Sequence, residues 1–154
     1  MLPTNNVNPP ASAAHAEDRA SWWLLIAAWL IALCASLGAL FIGEVLGQAP
    51  CHLCWFQRAF MFPLAIILLV SCVTSDAHIW RYALPLAVIG GLVAFYHTLL
   101  QAGVIPEPIV QCTAGPSCSS ADMTLFGWLS IPALSFSAFS AIVVLLVIIR
   151  GRSS

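Results

Sequence analysis

Four long apolar runs dominate the chain, and short polar connections separate them. Each run approaches the ~20 apolar residues that a helix needs to cross ~30 Å of hydrocarbon. The pattern therefore predicts four transmembrane helices, at about residues 22–42, 55–74, 82–100 and 129–149. We expect them to form one all-α membrane domain, a four-helix bundle over residues 21–152.

Composition separates this chain from soluble proteins. Of its 154 residues, 61% are hydrophobic and only 7% are charged, and none is lysine. A soluble protein with unusually apolar core helices would need polar residues at helical spacing, and the first and fourth runs have almost none. The stretch before the first run, residues 1–20, is rich in Pro, Asn and Ala without an apolar period, and we predict a flexible tail there.

The arginines predict the orientation of the chain in the membrane. Four of the five lie before the first run, between the second and third, or after the fourth: Arg19, Arg81, Arg150 and Arg152. Positive residues mark the cytoplasmic side, so both termini are predicted to be cytoplasmic. The two longer connections, residues 43–54 and 101–128, are then extracytoplasmic, and only Arg58 departs from the rule.

The six cysteines divide by predicted location. Cys34 and Cys72 fall within helices, where a lone cysteine behaves as a small apolar residue. The other four form two close pairs in the extracytoplasmic connections: Cys51 with Cys54, and Cys112 with Cys118. Structural disulfides, a four-thiolate metal site and a redox relay all stay open. The C-x-x-C spacing favours the relay, because it stabilises little as a cross-link and is the spacing of thiol oxidoreductases. The combined spacing is not that of the common zinc sites.

Two ionisable side chains lie at a similar predicted depth near the first cysteine pair. Cys54 begins the second helix, whose N-terminus stabilises a thiolate, and Arg58 lies one turn further along the same face. His97 lies about one turn inside the outer end of the third helix. Snorkelling of Arg58 to headgroups and a histidine hydrogen-bonded between helices are the simple alternatives. Together with a thiolate and apolar helix faces, the two residues suit a lipid-soluble oxygen acceptor such as a quinone.

The stretches CHLCWFQR, YHTLLQ and VQCTAGPSC resemble the DsbB-type disulfide formation proteins. These are bacterial membrane enzymes that oxidise a thioredoxin-fold partner and pass the electrons to quinone. The short spacing of the second pair is similar to that of the BdbC-like subgroup. The resemblance extends from the first helix through FGWLSIPALSFSAF, which is nearly the whole chain apart from the tail.

The resemblance also implies a role for each site residue. Cys112 would form the mixed disulfide with a DsbA-like partner, and Cys118 would be its intramolecular mate. Cys51 would exchange with this second pair, and Cys54 would face the quinone, either ubiquinone or menaquinone. The residues implied to contact the quinone oxygens are Arg58 and His97.

The sequence therefore predicts a thiol:quinone oxidoreductase of the bacterial plasma membrane, with no metal and no nucleic acid partner. A vitamin K epoxide reductase-like protein is one alternative, although its C-x-x-C is expected near the last helix. A disulfide-bridged membrane accessory protein without turnover is another. The role of His52 stays open.

Overall fold

The computed structural model describes residues 11–48, 50–105, 124–125 and 129–152. Four long helices account for most of them: α1 Ala11–Leu40, α2 His52–Thr74, α3 Trp80–Gln101 and α4 Ile131–Arg152. A π-helical segment, Phe41–Val45, continues α1, and a 3-10 turn, Ala77–Ile79, precedes α3. Two residues in each of two strands, β1 Thr124–Leu125 and β2 Leu129–Ser130, pair antiparallel with Leu125 opposite Leu129.

The predicted helices are all present, but α1, α2 and α3 begin earlier than expected. Helix α1 begins at Ala11, inside the stretch that was predicted to be a flexible tail, because residues 11–20 are rich in alanine, the strongest helix former. The prediction for residues 1–10 lies outside the described residues. Helix α2 begins at His52 rather than about residue 55, because Cys51 caps it.

The four helices form a ring in which each contacts its two neighbours in sequence, and α1 closes against α4. Small side chains line much of the interior and let the helix backbones approach closely: Ala28, Ala32, Ala83, Ala87 and Ala94 are fully buried. The large buried side chains include Phe139 of α4, whose ring packs directly against Gly90 of α3. The interior of the bundle is therefore closely packed and largely apolar, with a few buried polar side chains.

The outside of the bundle is also apolar. Each of the four helical segments is long and apolar enough to cross a membrane: Arg19–Val45, His52–Thr74, Ala77–Gln101 and Ile131–Arg152. Large apolar side chains point outward along them, among them Ile66 and Val73 of α2 and Leu92 of α3. Lipid is the solvent that tolerates such a surface, so the predicted four-helix transmembrane bundle is confirmed.

One end of the bundle gathers the arginines. The Trp80 ring lies beneath the guanidinium groups of both Arg81 and Arg150, with centroid distances of 5.7 and 5.1 Å. At the same end, Trp22 Nε1 of α1 donates a hydrogen bond to the Cys72 carbonyl of α2 at 3.2 Å. The start of α2, with its cysteines, is therefore at the opposite end. Which end faces the cytoplasm stays a prediction.

Candidate redox site

The first cysteine pair is built into the beginning of α2. Cys51 is the N-cap residue, and its Sγ accepts a hydrogen bond from the Cys54 backbone N–H at 3.4 Å. The two sulfurs lie 3.1 Å apart without a disulfide between them, and Cys51 Sγ donates to Cys54 Sγ. Because one helical turn separates the two residues, capping the helix also brings the sulfurs together. The pair is therefore one short movement from a disulfide.

The two thiols are not equivalent. Cys51 is 1% exposed, whereas Cys54 is partly exposed. The hydrogen bond to Cys54 and burial raise the pKa of Cys51 to about 12, although His97 and the Cys54 backbone N–H act in the opposite direction. Cys51 therefore keeps its proton and donates it to Cys54 Sγ, and Cys54 is the more accessible of the two sulfurs.

Behind Cys51 lies a buried polar chain that links α2 to α3. His97 of α3 is completely buried, and its Nε2 lies 3.7 Å from Cys51 Sγ. Its other ring nitrogen, Nδ1, lies 2.9 Å from Nε2 of Gln57, which is 7% exposed. Buried polar groups are usually paired in this way, because an unpaired one is costly. Both ring nitrogens of His97 thus face protein groups, and its predicted contact with quinone stays a prediction.

Arg58 points away from His97, toward the end of α1. Its Nη2 donates to the Ala39 carbonyl at 2.6 Å, and its guanidinium lies 5.9 Å from the centroid of the Trp55 ring. Gly43, in the π-helical segment, leaves room for this approach, since a Cβ there would lie 2.9 Å from Arg58 Nη2. The polar ligand that an arginine needs at this depth is therefore a backbone carbonyl of α1.

The same cluster has the composition of a partial metal site. One ligand atom from each of Cys51, Cys54 and His97 lies within 4.8 Å of the others. A structural zinc site uses four such ligands, and these residues supply three. The four-thiolate alternative would require Cys112 and Cys118, which lie outside the described residues. A dithiol closing to a disulfide needs no ion, and the cluster suits that chemistry as it stands.

The structure thus places the predicted site residues unevenly. It joins Cys51, Cys54 and His97 in one cluster, and it sets Arg58 on the next turn of α2 facing α1. The second pair, Cys112 and Cys118, is outside the part of the chain that the structure describes. The predicted transmembrane cysteines are both free thiols in the helices, with Cys34 exposed on α1 and Cys72 near the arginine end of α2.

Gln57 is a functional candidate that the sequence analysis did not identify. It lies between Cys54 and Arg58 in CWFQR, and charge alone selects Arg58 from this stretch. An amide side chain inside an apolar transmembrane helix was the available signal, because such groups need a partner. Its burial against His97 shows which partner it has.

Comparison with known proteins identifies the family of this chain. The family model described as "Disulfide bond formation protein DsbB" matches residues 19–149. A "Probable disulfide formation protein" of Metapseudomonas resinovorans is 63% identical over 135 residues, which cover 87% of this chain and 94% of that protein. "Disulfide bond formation protein C" of Bacillus subtilis (strain 168) is 36% identical over 130 residues, covering 84% and 94%.

A "Probable disulfide formation protein" of Deinococcus radiodurans is 40% identical over 131 residues, covering 79% of this chain and 85% of that protein. No solved structure matches. The family match covers α2, α3, most of α1 and α4, and both cysteine pairs. The chain therefore belongs to the DsbB family of disulfide formation proteins and is a multi-pass membrane disulfide oxidoreductase.

Proposed function

We propose that this protein reoxidises a DsbA-like, thioredoxin-fold thiol oxidase and passes the electrons to a membrane quinone. The observation that carries the proposal is the close approach of the Cys51 and Cys54 sulfurs, 3.1 Å apart at the start of a transmembrane helix. A pair at the head of α2 also differs from the vitamin K epoxide reductase-like alternative, in which it is expected near the last helix.

The chemistry proceeds by thiol–disulfide exchange. A thiolate of the reduced partner attacks the Cys112–Cys118 disulfide through Cys112, and the partner leaves as a disulfide while this pair becomes a dithiol. The dithiol then reduces the Cys51–Cys54 disulfide through Cys51. Each exchange moves two electrons and conserves the number of disulfides. The Cys51–Cys54 dithiol must finally give up two electrons and two protons to return to the disulfide.

A quinone supplies that final oxidation when bound, because it accepts two electrons and two protons and dissolves in lipid. Three features of this chain fit such a group. Cys54 is the more exposed sulfur, the Trp55 and Phe56 rings beside it are exposed, and Arg58 brings a positive charge to the next turn of α2. The guanidinium would hold negative charge that develops on a quinone oxygen, in a setting where water is scarce.

Orientation and location follow the same reasoning. The arginines gather at one end of the bundle, and the cysteine pair is at the other, so the positive-inside rule places the pair outside the cytoplasm and both termini within it. The relatives named above are bacterial, which supports the plasma membrane as the location. Disulfides persist in the oxidising space outside that membrane.

The test uses purified protein, a reduced thioredoxin-fold partner and a soluble quinone, and it follows quinol formation by absorbance. Replacing any one relay cysteine by Ser should reduce turnover to the uncatalysed background: Cys51, Cys54, Cys112 or Cys118. Cys34→Ala and Cys72→Ala are the matched controls and should retain wild-type turnover. Full activity in the four Ser variants would refute the relay. If quinone did not change the redox state of the cysteines in the wild-type protein, the accessory-protein alternative would be favoured.

Arg58 is tested separately from the sulfur chemistry. Arg58→Ala should raise the KM for quinone about tenfold, the loss that accompanies one hydrogen bond to a charged group. Arg58→Lys keeps the charge but loses the planar fork, so its KM should lie between the two. Exchange between the partner and the cysteine pairs should be unchanged in both variants. An unchanged KM in Arg58→Ala would assign Arg58 to headgroup contact instead.

A further inference from the structure

The buried chain from Gln57 through His97 to Cys51 determines where its hydrogen atoms lie, and only the place of Cys51 in the relay rests on the proposed function. The Gln57 amide nitrogen lies 2.9 Å from His97 Nδ1. An amide NH2 group can only donate, so Nδ1 must accept and the neutral ring carries its hydrogen on Nε2. That Nε2–H faces Cys51 Sγ at 3.7 Å.

A second N–H is directed at the same sulfur. The Cys54 backbone N–H donates to Cys51 Sγ at 3.4 Å, from the first turn of α2. Among the described residues, the titratable side chains that hydrogen bond to Cys51 are Cys54 and His97. Once Cys54 is engaged elsewhere, as a disulfide or with an oxidant, the sulfur of Cys51 retains two N–H donors within a site from which water is excluded.

We infer that Gln57 is a positioning residue, which holds His97 in the tautomer that donates a hydrogen bond to the Cys51 thiolate. His97 then acts as an anion stabiliser and not as a base, because its Nε2 already carries a hydrogen. A buried thiolate without donors would be strongly disfavoured. The Gln57–His97 pair therefore makes Cys51 a competent nucleophile when it closes the disulfide with Cys54.

The experiment measures Cys51 alone, with neither quinone nor partner present, so it is independent of the proposed function. In a Cys54→Ser background, the rate of Cys51 alkylation by iodoacetamide is followed against pH by peptide mass spectrometry. His97→Phe removes the donor, and Gln57→Met removes the amide at similar volume. Ser71→Ala is the matched control, because Ser71 is also a buried polar residue of α2 but hydrogen bonds to Asp76 at the far end.

Both test variants should shift the alkylation profile to higher pH and lower the rate at pH 8 about tenfold, as expected for one hydrogen bond to a charged group. The double variant should lose no more than His97→Phe alone, because Gln57 acts through His97. Ser71→Ala should match the background. An unshifted profile in Gln57→Met, or a double variant that loses the sum of both effects, would overturn the inference.

A second measurement keeps both Gln57 and His97, so it does not depend on the folding of the Gln57→Met and His97→Phe variants. The protein is labelled with nitrogen-15 histidine after the three other histidines are replaced, and the imidazole nitrogen shifts of His97 are recorded. The expected result is a neutral ring with its hydrogen on Nε2. A hydrogen on Nδ1 in the resting protein would overturn the inference.

Discussion

The contact between Gly90 of α3 and Phe139 of α4 allows the packing of the bundle to be tested at one atom. A Cβ added to Gly90 would lie 2.4 Å from Cε1 and 2.5 Å from Cζ of the Phe139 ring. Phe139 is completely buried, so its ring has no solvent to move into. Gly90→Ala must therefore separate α3 from α4 or push the ring off its rotamer.

The size of the effect follows from the neighbouring glycine. Gly91→Ala places its Cβ 3.4 Å from Phe139 Cβ, which is close to ordinary van der Waals contact. Both substitutions gain the same helix propensity, ~1 kcal/mol, so their difference isolates the clash. Overpacking of this kind costs ~1–3 kcal/mol. At ~2–4 °C per kcal/mol, Gly90→Ala should unfold several degrees below Gly91→Ala.

The assay is thermal unfolding in detergent, followed by tryptophan fluorescence. In a Phe139→Leu background, Gly90→Ala should lower the unfolding temperature only slightly, because leucine lacks the two ring atoms that clash. Equal unfolding temperatures for Gly90→Ala and Gly91→Ala would mean that α3 and α4 are not packed as described. If Gly90→Ala lowered the unfolding temperature as much in the Phe139→Leu background as in the wild type, the clash with the ring would be refuted.

Two further predictions concern the site. Gly43→Ala should raise the KM for quinone severalfold with little change in stability, because its Cβ displaces only the flexible end of Arg58; quinol assays should show no effect in Gly38→Ala, whose Cβ would meet nothing within 4 Å. Equal KM values for the two variants would contradict this. In the reduced wild-type protein, iodoacetamide should label Cys54 before Cys51 at every pH below about 12, because Cys51 holds its proton and is buried; peptide mass spectrometry reads the order, and labelling of Cys51 first would contradict it.

The number and type of helices could be predicted because the bilayer sets a minimum length for an apolar run. The apolar run of α4 fits only a membrane-spanning helix. The start of α1 at Ala11 depends instead on the helix propensity of alanine, in a stretch whose Pro and Asn residues suggested a flexible tail. Hydropathy also does not describe end effects, so it missed that Cys51 caps α2 and moves its start to His52.

The sequence predicts that Cys51, Cys54 and His97 lie near one another, but it does not predict the directions in which the side chains of the site point. Depth along the helices placed Arg58 and His97 at one level, and this suggested that both face a common ligand. Depth along a helix does not define the direction in which a side chain points, however. The Arg58 side chain turns to α1, whereas the His97 side chain of α3 turns to Cys51 and Gln57 at the start of α2. The partner of His97, Gln57, depends on that direction as well, because only the packing of α2 on α3 brings the amide to Nδ1.

The near-complete burial of Cys51 bears on which reductants can discharge the enzyme. In the resting state the Cys51 sulfur is buried, so neither a protein thiol nor a small thiol such as glutathione can contact it. Exchange at Cys51 in the proposed relay therefore needs a movement that exposes this sulfur, and a donor in the same chain is present at that moment far more often than a dilute free one. For the proposed relay, burial of Cys51 thus favours the electron donor within the chain and would slow wasteful cycling between quinone and ambient thiols.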